Sequence, residues 1–449
     1  MAEWKNYYFI GIGGIGMSAL ARYFHRQGHS VSGYDATPSA LTDALEKEGI
    51  AIHFDPRPEA IPGDPSTTLV IYTPAVGEEF AELKRAREKG FTVEKRAYAL
   101  GQTAAGKKCL AVAGTHGKTT TSTLLAHILT HSGEGCNAFL GGISKNYDTN
   151  MLISEAPVAV AEADEYDRSF LQLSPEIAAI TSASPDHLDI YGTPGAMLEA
   201  FGEFAARVSG ALVVKKGVDI PLGKCRGRIY SYGMGEGDFA AINVATSAEG
   251  RFTFDLKHPG GVIEGCSVGI PGKINIENGI AASAAALLHG IRPEAVREAL
   301  SAFKGVRRRF DIRFESPRHA YIDDYAHHPE ELEASIGAIR DRFPGRHITG
   351  IFQPHLFTRT RDFRDGFAHA LSLLDRLILL PIYPAREEPI EGVTSQIIFE
   401  RATLADKLLI EKNRLMETLA EGDTDVIATL GAGDIDRFAE PIENWMKTL

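Results

Sequence analysis

The sequence predicts an α/β protein with three domains, each built on parallel strands that are covered by helices. Two observations lead to this fold class. Short apolar runs alternate with helical patterns along the whole chain, which is the order that βαβ units produce. The chain also has 449 residues, more than the roughly 250–300 residues that one hydrophobic core usually serves.

The predicted elements fall into three successive units. The first has strands at residues 7–10, 30–34, 69–72 and 91–93, a helix over 17–27 that ends at Gly28, and a polar linker at 101–108. The second has strands at 110–113, 158–161 and 177–180, short strands with glycine turns over 229–270, and an alanine-rich helix at 278–288. The third starts near Phe310 and has strands at 320–322, 348–352, 377–380 and 426–430.

Composition and charge exclude several functional classes. The formal net charge is −12, and the basic run at residues 307–309 is too short for a nucleic-acid interface. We see no signal peptide and no apolar run near the ~20 residues that span a bilayer. The cysteines form no CxxC pair, which argues against structural zinc or a disulfide framework and favours free thiols in the cytoplasm; they are Cys109, Cys136, Cys225 and Cys266.

A phosphate-binding loop is predicted between the strand at 110–113 and the helix that follows. Its residues are Gly114, Thr115, His116, Gly117, Lys118 and Thr119. Backbone N–H groups and the helix N-terminus would face an anion, Lys118 would add a positive charge, and the Thr119 hydroxyl would lie near Mg²⁺. The match is incomplete, because Val112 stands where the general pattern has its first glycine, and an ordinary Gly/Thr-rich turn is the alternative.

A second glycine loop, at residues 11–16, fits the GxGxxG pattern between a strand and a helix. Asp35 follows the next strand, at roughly the 20-residue spacing of a carboxylate that binds a ribose hydroxyl in dehydrogenases. The pattern predicts a diphosphate-binding turn and does not establish NAD. A tight turn without a ligand is the alternative.

Polar clusters follow several of the other strands. Glu162 comes where the strand at 158–161 ends, and we predict it as a Mg²⁺ ligand, whereas Asp164 and Glu165 are better explained as a solvated acidic loop. His187 is a poor partner for Mg²⁺ on chemical grounds, and a hydrogen-bonding loop residue is the simpler interpretation. Residues 323–329 and 353–361 contain acids, histidines and arginines that suit proton transfer or the binding of carboxylate and phosphate groups. An N-cap and a polar turn would also explain residues 323–329.

Taken together and in this order, these segments resemble the Mur ligases, and within them the alanine-adding branch. The resemblance covers essentially the whole chain and rests on residues 11–16, 114–121, 162–167, 186–191, 275–278, 307–310, 323–329 and 353–361. The phosphate loop is shared by the wider superfamily, whereas the glycine loop, Asp-Asp-Tyr-Ala-His-His-Pro and Gln-Pro-His with Thr-Arg-Thr-Arg are more specific.

The resemblance implies an N-terminal Rossmann-like domain for a UDP-sugar (1–106), a central phosphate-loop ATPase domain with a mixed sheet (107–309) and a C-terminal Rossmann-like domain for an amino acid (310–449). The implied reaction joins L-alanine to the lactyl carboxylate of UDP-N-acetylmuramate, with ATP and Mg²⁺ (or Mn²⁺) and an acyl-phosphate intermediate. The implied enzyme is cytoplasmic, a monomer or a homodimer, without nucleic-acid or membrane partners.

The resemblance also implies the roles of individual residues. The UDP-sugar site would contain Gly11, Gly13, Gly14, Ile15, Gly16, Asp35, His53, Thr73 and Arg96. The ATP site would contain the phosphate loop with Thr120, and also Asn275, Asn278, Arg309 and Asp324. The metal ligands would be Thr119, Glu162 and His187, and the amino-acid site His327, His328, Arg359 and Arg361. The implied catalytic residues are Lys118, Glu162, His187, His327 and Arg359.

Three departures from the family pattern affect these implications. Residues 198–206 lack the lysine that many Mur ligases carry after the histidine matching His187. Leu356 replaces an arginine of many alanine-adding relatives, which makes Arg359 the expected carboxylate anchor. Ile274 replaces a histidine, so contacts to adenine are expected to differ.

Three other functions would also use parts of this sequence. A recycling ligase that attaches a whole tripeptide to the same sugar is disfavoured, because residues 353–361 carry the alanine-type pattern. An NAD(P)-dependent oxidoreductase would leave the phosphate loop and the Glu162/His187 pair unexplained. A non-catalytic nucleotide switch would use the same phosphate loop, and only an assay of turnover separates it from an enzyme.

Overall fold

The computed structural model describes residues 4–185, 188–246, 252–385 and 387–449. They form two compact units. The first comprises Met1–Val244, Phe254–Val268 and Glu277–Phe303, and the second Ala245–Thr253, Gly269–Ile276 and Lys304–Leu449. Three sheets are present, which confirms the predicted three-domain α/β architecture. The boundaries at residues 106 and 309 stay predictions.

The N-terminal sheet is entirely parallel, with strand order β3-β2-β1-β4-β5. Its strands are β1 (Asn6–Ile10), β2 (Ser30–Tyr34), β3 (Ala51–His53), β4 (Thr68–Tyr72) and β5 (Thr92–Lys95). Its helices are α1 (Ile15–Arg26), α2 (Ala40–Lys47), α3 (Ala81–Glu88) and α4 (Arg96–Ala104). Phe9 and Tyr8 lie on opposite faces of β1, and each belongs to a different hydrophobic cluster. This is expected of a parallel sheet that is covered on both faces.

The central sheet is mixed, with order β15-β14-β13-β12-β11-β10-β6-β9-β7-β8. Its strands are β6 (Lys108–Ala113), β7 (Asn137–Ser144), β8 (Thr149–Leu152), β9 (Val158–Ala163), β10 (Ile177–Ile180), β11 (Ala211–Lys215), β12 (Arg228–Met234), β13 (Phe239–Thr246), β14 (Phe252–His258) and β15 (Gly261–Cys266). Its helices are α5 (Lys118–His131), α6 (Leu188–Tyr191), α7 (Pro194–Ala205), α8 (Lys273–His289) and α9 (Pro293–Ala302). Strand β6 pairs in parallel with both β9 and β10, and the pairs β7–β8 and β14–β15 are antiparallel.

The C-terminal sheet has the order β16-β17-β21-β18-β19-β20, and its pair β16–β17 is antiparallel. Its strands are β16 (Asp311–Glu315), β17 (Ala320–Asp324), β18 (Ile348–Phe352), β19 (Arg376–Leu379), β20 (Asp406–Leu409) and β21 (Val426–Leu430). Its helices are α10 (Pro329–Arg342), α11 (Phe357–Asp362), α12 (Arg364–Leu371), α13 (Gln396–Phe399), α14 (Leu415–Ala420) and α15 (Ala439–Met446). Hydrophobic clusters cover both faces. Among the described residues, no helix combines the length and apolar character required to cross a membrane.

Most predicted elements are confirmed, and one prediction is wrong. The predicted bounds of β2, β10, β18 and β21 agree with the structure, and Gly28, with a φ of +87°, follows Gln27, the residue that caps α1. Residues 101–108 are not a linker, because Gly101 to Ala104 form the end of α4 and β6 begins at Lys108. A Cβ at Gly101 would overlap the backbone of Gln172. The glycine therefore permits close packing of α4 and does not make the chain flexible there.

Helix α1 of the N-terminal sheet is attached to strand β8 of the central sheet by a buried polar cluster. The fully buried Asn150 donates hydrogen bonds to the Ile15 carbonyl (2.6 Å) and to Ser18 Oγ (2.9 Å). Its side-chain oxygen accepts a hydrogen bond from Arg22, which also forms an ion pair with Glu48. Because buried polar groups are costly when unpaired, this cluster fixes one arrangement of α1 on the central sheet.

We predict that Asn150→Ala lowers the free energy of unfolding by about 1–3 kcal/mol, because Arg22 and the Ile15 carbonyl lose a buried partner. Urea unfolding of the two proteins measures the difference. Asn444→Ala, at an exposed position of α15, is the matched control and should change stability by less than about 0.5 kcal/mol. Equal stability of the Asn150→Ala variant and the wild type would contradict a structural role for this cluster.

Candidate nucleotide and substrate sites

The predicted phosphate loop connects β6 to α5 and contains two glycines in the left-handed region. Gly114 has a φ of +136°, and a Cβ there would overlap Thr181 Oγ1. Gly117 has a φ of +80° and immediately precedes α5, and a Cβ there would lie 2.8 Å from Asn278 Oδ1. Both positions therefore require glycine for backbone conformation and for space.

Residues 181–184, which follow β10, form hydrogen bonds with this loop. Thr181 Oγ1 donates to the carbonyl oxygen of His116 at 2.5 Å, and the His116 backbone N–H donates to Ser182 Oγ at 2.7 Å. Thr115 Oγ1 lies 3.0 Å from Ser182 Oγ and accepts a hydrogen bond from the Ser184 backbone. These hydrogen bonds attach the loop to residues 181–184, and the sequence motif did not predict them.

Lys118, the first residue of α5, is held by three oxygen atoms. Its Nζ donates to the Gly114 carbonyl at 2.6 Å and to the two Glu165 carboxylate oxygens at 2.9 and 2.7 Å. Burial lowers the pKa of Lys118, but the carboxylates of Glu165, Asp164 and Glu162 outweigh it, so that the pKa rises above its usual value. Lys118 therefore carries its positive charge at neutral pH.

The prediction that Glu165 belongs to a solvated acidic loop is wrong. Its side chain is only 1% exposed, and burial raises the pKa of its carboxyl to about 7, against the opposing effect of Lys118. The Glu165 carbonyl accepts a hydrogen bond from the Tyr191 hydroxyl at 2.5 Å. The neighbouring Asp164 is partly exposed, and its carboxylate lies 3.6 Å from the guanidinium of Arg96. Position in an acidic run gave no signal that one of these carboxylates is buried.

Thr119 and Glu162 lie together at the start of α5. Thr119 Oγ1 donates to Glu162 Oε1 at 3.0 Å, and the Gly141 backbone N–H donates to Glu162 Oε2 at 3.1 Å. A Cβ at Gly141 would overlap this carboxylate. A hydroxyl and a carboxylate next to a phosphate loop are oxygen ligands that fit Mg²⁺. The third predicted ligand, His187, lies outside the described residues.

Asn278 also lies at the phosphate loop. Its Oδ1 accepts a hydrogen bond from the hydroxyl of the buried Thr121 at 3.2 Å. Thr120, one position earlier on α5, is buried as well. Asn275 belongs to the second compact unit, where its side-chain amide donates to the Pro271 carbonyl at 2.5 Å.

The glycine loop at residues 11–16 connects β1 to α1. Gly13 N–H donates to Asp35 Oδ2 at 2.7 Å, so Asp35 supports the loop itself. Gly11 has a φ of +87°, and a Cβ there would lie 2.6 Å from Thr73 Cγ2. Gly14 precedes α1, and Ile15 is the first residue of that helix. The structure thus brings the loop together with Asp35 and Thr73.

Two further residues of the predicted sugar-nucleotide site have different environments. The guanidinium of Arg96 lies against Gly16, where a Cβ would be 2.9 Å from Arg96 Nη1. His53 Nε2 lies 2.9 Å from the fully buried Glu82, which also accepts a hydrogen bond from the Tyr8 hydroxyl at 2.7 Å. Glu82 therefore orients the His53 ring, a contact that the sequence did not predict.

A small cleft in the first unit is lined by Arg96, Ala97 and Leu100 of α4, by Glu162 and Asp164, and by Ser169, Phe170 and Leu173. The cleft thus brings one predicted sugar-nucleotide residue and one predicted metal ligand to a shared space.

In the second unit, Asp324 lies at the end of β17. Ser335 Oγ donates to Asp324 Oδ2 at 2.6 Å, and burial raises the pKa of Asp324 to about 6. The guanidinium of Arg309 lies over the Tyr325 ring, 4.8 Å from its centroid. Arg309 therefore lies near Asp324, which directly precedes Tyr325, and its charge opposes the rise in the pKa of Asp324.

Two of the predicted amino-acid residues, His327 in the loop after β17 and Arg359 on α11 after β18, come together around His355. His327 Nδ1 lies 3.2 Å from Glu331, and its ring contacts that of His355. Burial lowers the pKa of His327 to about 4, so the imidazole is neutral at pH 7. The buried Arg359 has Nη1 3.5 Å from His355 Nδ1. The buried His328 precedes α10, and its ring packs edge-on against Phe363.

Arg361 does not join this cluster. It lies two residues after Arg359 on α11, and residues two apart do not share a helix face. Its guanidinium is about half exposed and pairs with the adjacent Asp362 at 2.7 Å. Leu356, which precedes α11, is buried and has a φ of +71°, a conformation that branched side chains rarely adopt.

Comparisons with known proteins identify the family of this chain. Three family models match in succession: the Mur ligase family catalytic domain over residues 6–108, the Mur ligase middle domain over 112–286, and the Mur ligase glutamate ligase domain over 308–435. A UDP-N-acetylmuramate–L-alanine ligase from Parabacteroides distasonis is 51% identical and covers 97% of this chain and 96% of its own. One from Porphyromonas gingivalis is 48% identical and covers 99% and 100%.

Solved structures give the same result. The UDP-N-acetylmuramate–alanine ligase of Thermotoga maritima superposes with a TM-score of 0.84 at 29% identity, covering 99% of this chain and 100% of that one. A murein peptide ligase from Psychrobacter arcticus has a TM-score of 0.72 at 21% identity, covering 99% and 98%, and shares the fold. The three domain matches and the close relatives over nearly the full length establish that this chain belongs to the Mur ligase family.

Proposed function

We propose that the protein is an ATP-dependent ligase that joins L-alanine to the lactyl carboxylate of UDP-N-acetylmuramate, forming ADP and phosphate. One observation carries the proposal. Arg96 lies against Gly16 of the glycine loop and pairs with Asp164, in the acidic segment whose Glu162 accepts a hydrogen bond from Thr119 of the phosphate loop. A sugar diphosphate at the glycine loop could therefore present its acid to the terminal phosphate of ATP. The ligases from Parabacteroides and Porphyromonas bear the name of this activity.

The chemistry requires activation of a carboxylate, which is a poor electrophile because of its charge and resonance. Transfer of the terminal phosphoryl group of ATP to the carboxylate oxygen gives an acyl phosphate and ADP. Attack of the alanine amine then forms a tetrahedral intermediate, which expels phosphate and leaves the amide. Lys118 and the backbone N–H groups of the loop would stabilise the charge that develops on the transferred group.

A divalent cation would be held by Thr119 and Glu162, with His187 as a further ligand, and would add positive charge at the phosphates. We propose Mg²⁺, which Mn²⁺ can replace. Gly11, Gly13 and Gly16 would bind the diphosphate of the sugar nucleotide, and His53, Thr73 and Arg96 the rest of that ligand. Thr120, Asn275, Asn278, Arg309 and Asp324 would contact ATP.

The amino acid would bind at His327, His328 and Arg359. A buried guanidinium suits the alanine carboxylate, because its planar fork matches two carboxylate oxygens. The neutral imidazole of His327 can accept a proton from the attacking amine. Arg361, which faces another direction, is a weaker candidate than the resemblance implies. We propose a cytoplasmic location, where ATP and sugar nucleotides are available, and leave monomer and homodimer as alternatives.

Phosphate release measured across substrate combinations tests the proposed function. We expect turnover only when ATP, UDP-N-acetylmuramate, L-alanine and Mg²⁺ are all present, and loss of turnover on removal of the metal. A recycling ligase would instead use the tripeptide and not free alanine. Phosphate release independent of both co-substrates would favour a nucleotide switch, and tight binding of NADH by fluorescence titration would favour an oxidoreductase.

We predict that Lys118→Ala reduces turnover by at least about 100-fold, because the loop loses the charge that faces the transferred phosphoryl group. Binding of UDP-N-acetylmuramate, measured by calorimetry, should remain within about twofold, because the glycine loop belongs to another sheet. Lys108→Ala, at the exposed start of β6, is the control and should leave both quantities unchanged. A parallel loss of sugar-nucleotide binding in Lys118→Ala would contradict this division of roles.

We also predict that Gly114→Ala weakens binding of a non-hydrolysable ATP analogue by at least about tenfold, because the new Cβ would displace Thr181 and the loop. Gly133→Ala is a matched control, since Gly133 also has a positive φ but has open space around the Cβ position. It should cost about 1–2 kcal/mol in stability and leave nucleotide affinity unchanged. Calorimetric titration of both variants compares them, and equal affinities would refute the steric argument.

A further inference from the structure

Glu165 is the one member of the acidic segment 162–167 whose carboxylate holds the phosphate-loop lysine. Its two oxygens accept hydrogen bonds from Lys118 Nζ at 2.9 and 2.7 Å, and its side chain is almost fully buried. A carboxylate that is buried in this way loses hydration and is retained only with a charged, hydrogen-bonded partner. The contact is therefore a specific ion pair rather than a chance approach of surface charges.

This ion pair competes with the predicted ligand of Lys118. An ammonium group has three N–H donors, and in the structure Lys118 directs its donors to the Gly114 carbonyl and to the Glu165 oxygens. Binding of a triphosphate requires that Lys118 redirect at least one of them. The carboxylate also lowers the net positive charge that the loop presents to an incoming anion.

Glu165 is anchored through its backbone and its side chain is only 1% exposed, whereas the side chain of Lys118 is 13% exposed, so we infer that the lysine is the partner that moves. The Glu165 carbonyl accepts a hydrogen bond from the buried Tyr191 hydroxyl, and the preceding Asp164 pairs with Arg96. Three residues before Glu165, Glu162 is fixed by Thr119 and the Gly141 N–H. Lys118, in contrast, has a flexible four-carbon stem.

We propose that Glu165 is a positioning residue: it holds the Lys118 amine over the Gly114 carbonyl before ATP binds, and afterwards keeps the amine oriented toward the transferred phosphoryl group. The inference rests on the proposed function, because it assigns the effect of Glu165 to an ATP-consuming reaction. Two opposite contributions follow. The carboxylate weakens the binding of ATP by partly neutralising Lys118, and it accelerates turnover by restricting the orientations of the amine.

Steady-state kinetics of Glu165→Gln tests the inference. We expect the KM for ATP to fall by about threefold to tenfold, because the competing charge is gone, and kcat to fall by about tenfold or more. Glu165→Asp keeps the charge but shortens the side chain, so its KM should stay within about twofold of the wild type while kcat falls. Glu203→Gln, an exposed substitution on α7, is the matched control and should change neither parameter.

The possible outcomes separate a positioning role from a structural one. A lower kcat with an unchanged or higher KM for ATP in Glu165→Gln would overturn the inference, as would kinetics equal to those of the Glu203→Gln control. If Glu165→Gln does not fold, the Glu165→Asp variant decides: a KM shifted beyond twofold refutes the inference.

The wild-type enzyme distinguishes this inference from the proposed function. Absence of ATP consumption by wild type with both co-substrates would refute the function itself. Calorimetric binding of a non-hydrolysable ATP analogue still tests the inference in that case. Tighter binding to Glu165→Gln than to wild type would support competition between Glu165 and phosphate, and equal binding would refute it.

Discussion

The register of three parallel strands determines the geometry of the candidate nucleotide site. Strand β6 lies between β9 and β10, with Ala113 opposite Ala163 on one side and Ile180 on the other. The loops that follow these strands therefore start at the same level, which brings Lys118 and Thr119 to the acidic segment and Thr181 to Gly114. A shift of one residue would turn Glu162 to the other face of the sheet. The Lys118–Glu165 ion pair, the predicted metal ligands and the hydrogen bonds from Thr181 to the phosphate loop therefore all depend on this register.

The sequence was sufficient to predict the features that depend on local patterns. Strand patterns of four or five residues predicted the bounds of β2, β10, β18 and β21, and the glycines of both loops marked positions where the backbone has a positive φ or a close neighbour. Charge and polarity gave wrong predictions at positions where tertiary packing determines whether a residue is buried or helical. Glu165 is buried because Lys118 reaches it from another strand–helix unit, and residues 101–104 are helical because α4 packs closely at Gly101.

Other site features depend on contacts that have no local signature. Glu82 reaches His53 and Tyr8 from helix α3, and Asn150 reaches α1 from a different sheet. The direction of Arg361 follows from the helical turn at α11 rather than from its presence in a basic pattern. A motif therefore located the candidate residues, whereas their partners could be identified only after distant parts of the chain were brought together.

The buried cluster around Asn150 has a consequence for the energetics of catalysis. Because α1, which starts at the glycine loop, is fastened to the sheet that carries the phosphate loop, the separation of the two loops is set when the chain folds. A ligand bound at one loop would then face a ligand bound at the other without further ordering of the protein. Each ligand would still lose translational and rotational entropy when it binds, and its own contacts with the protein would offset that loss in every catalytic cycle.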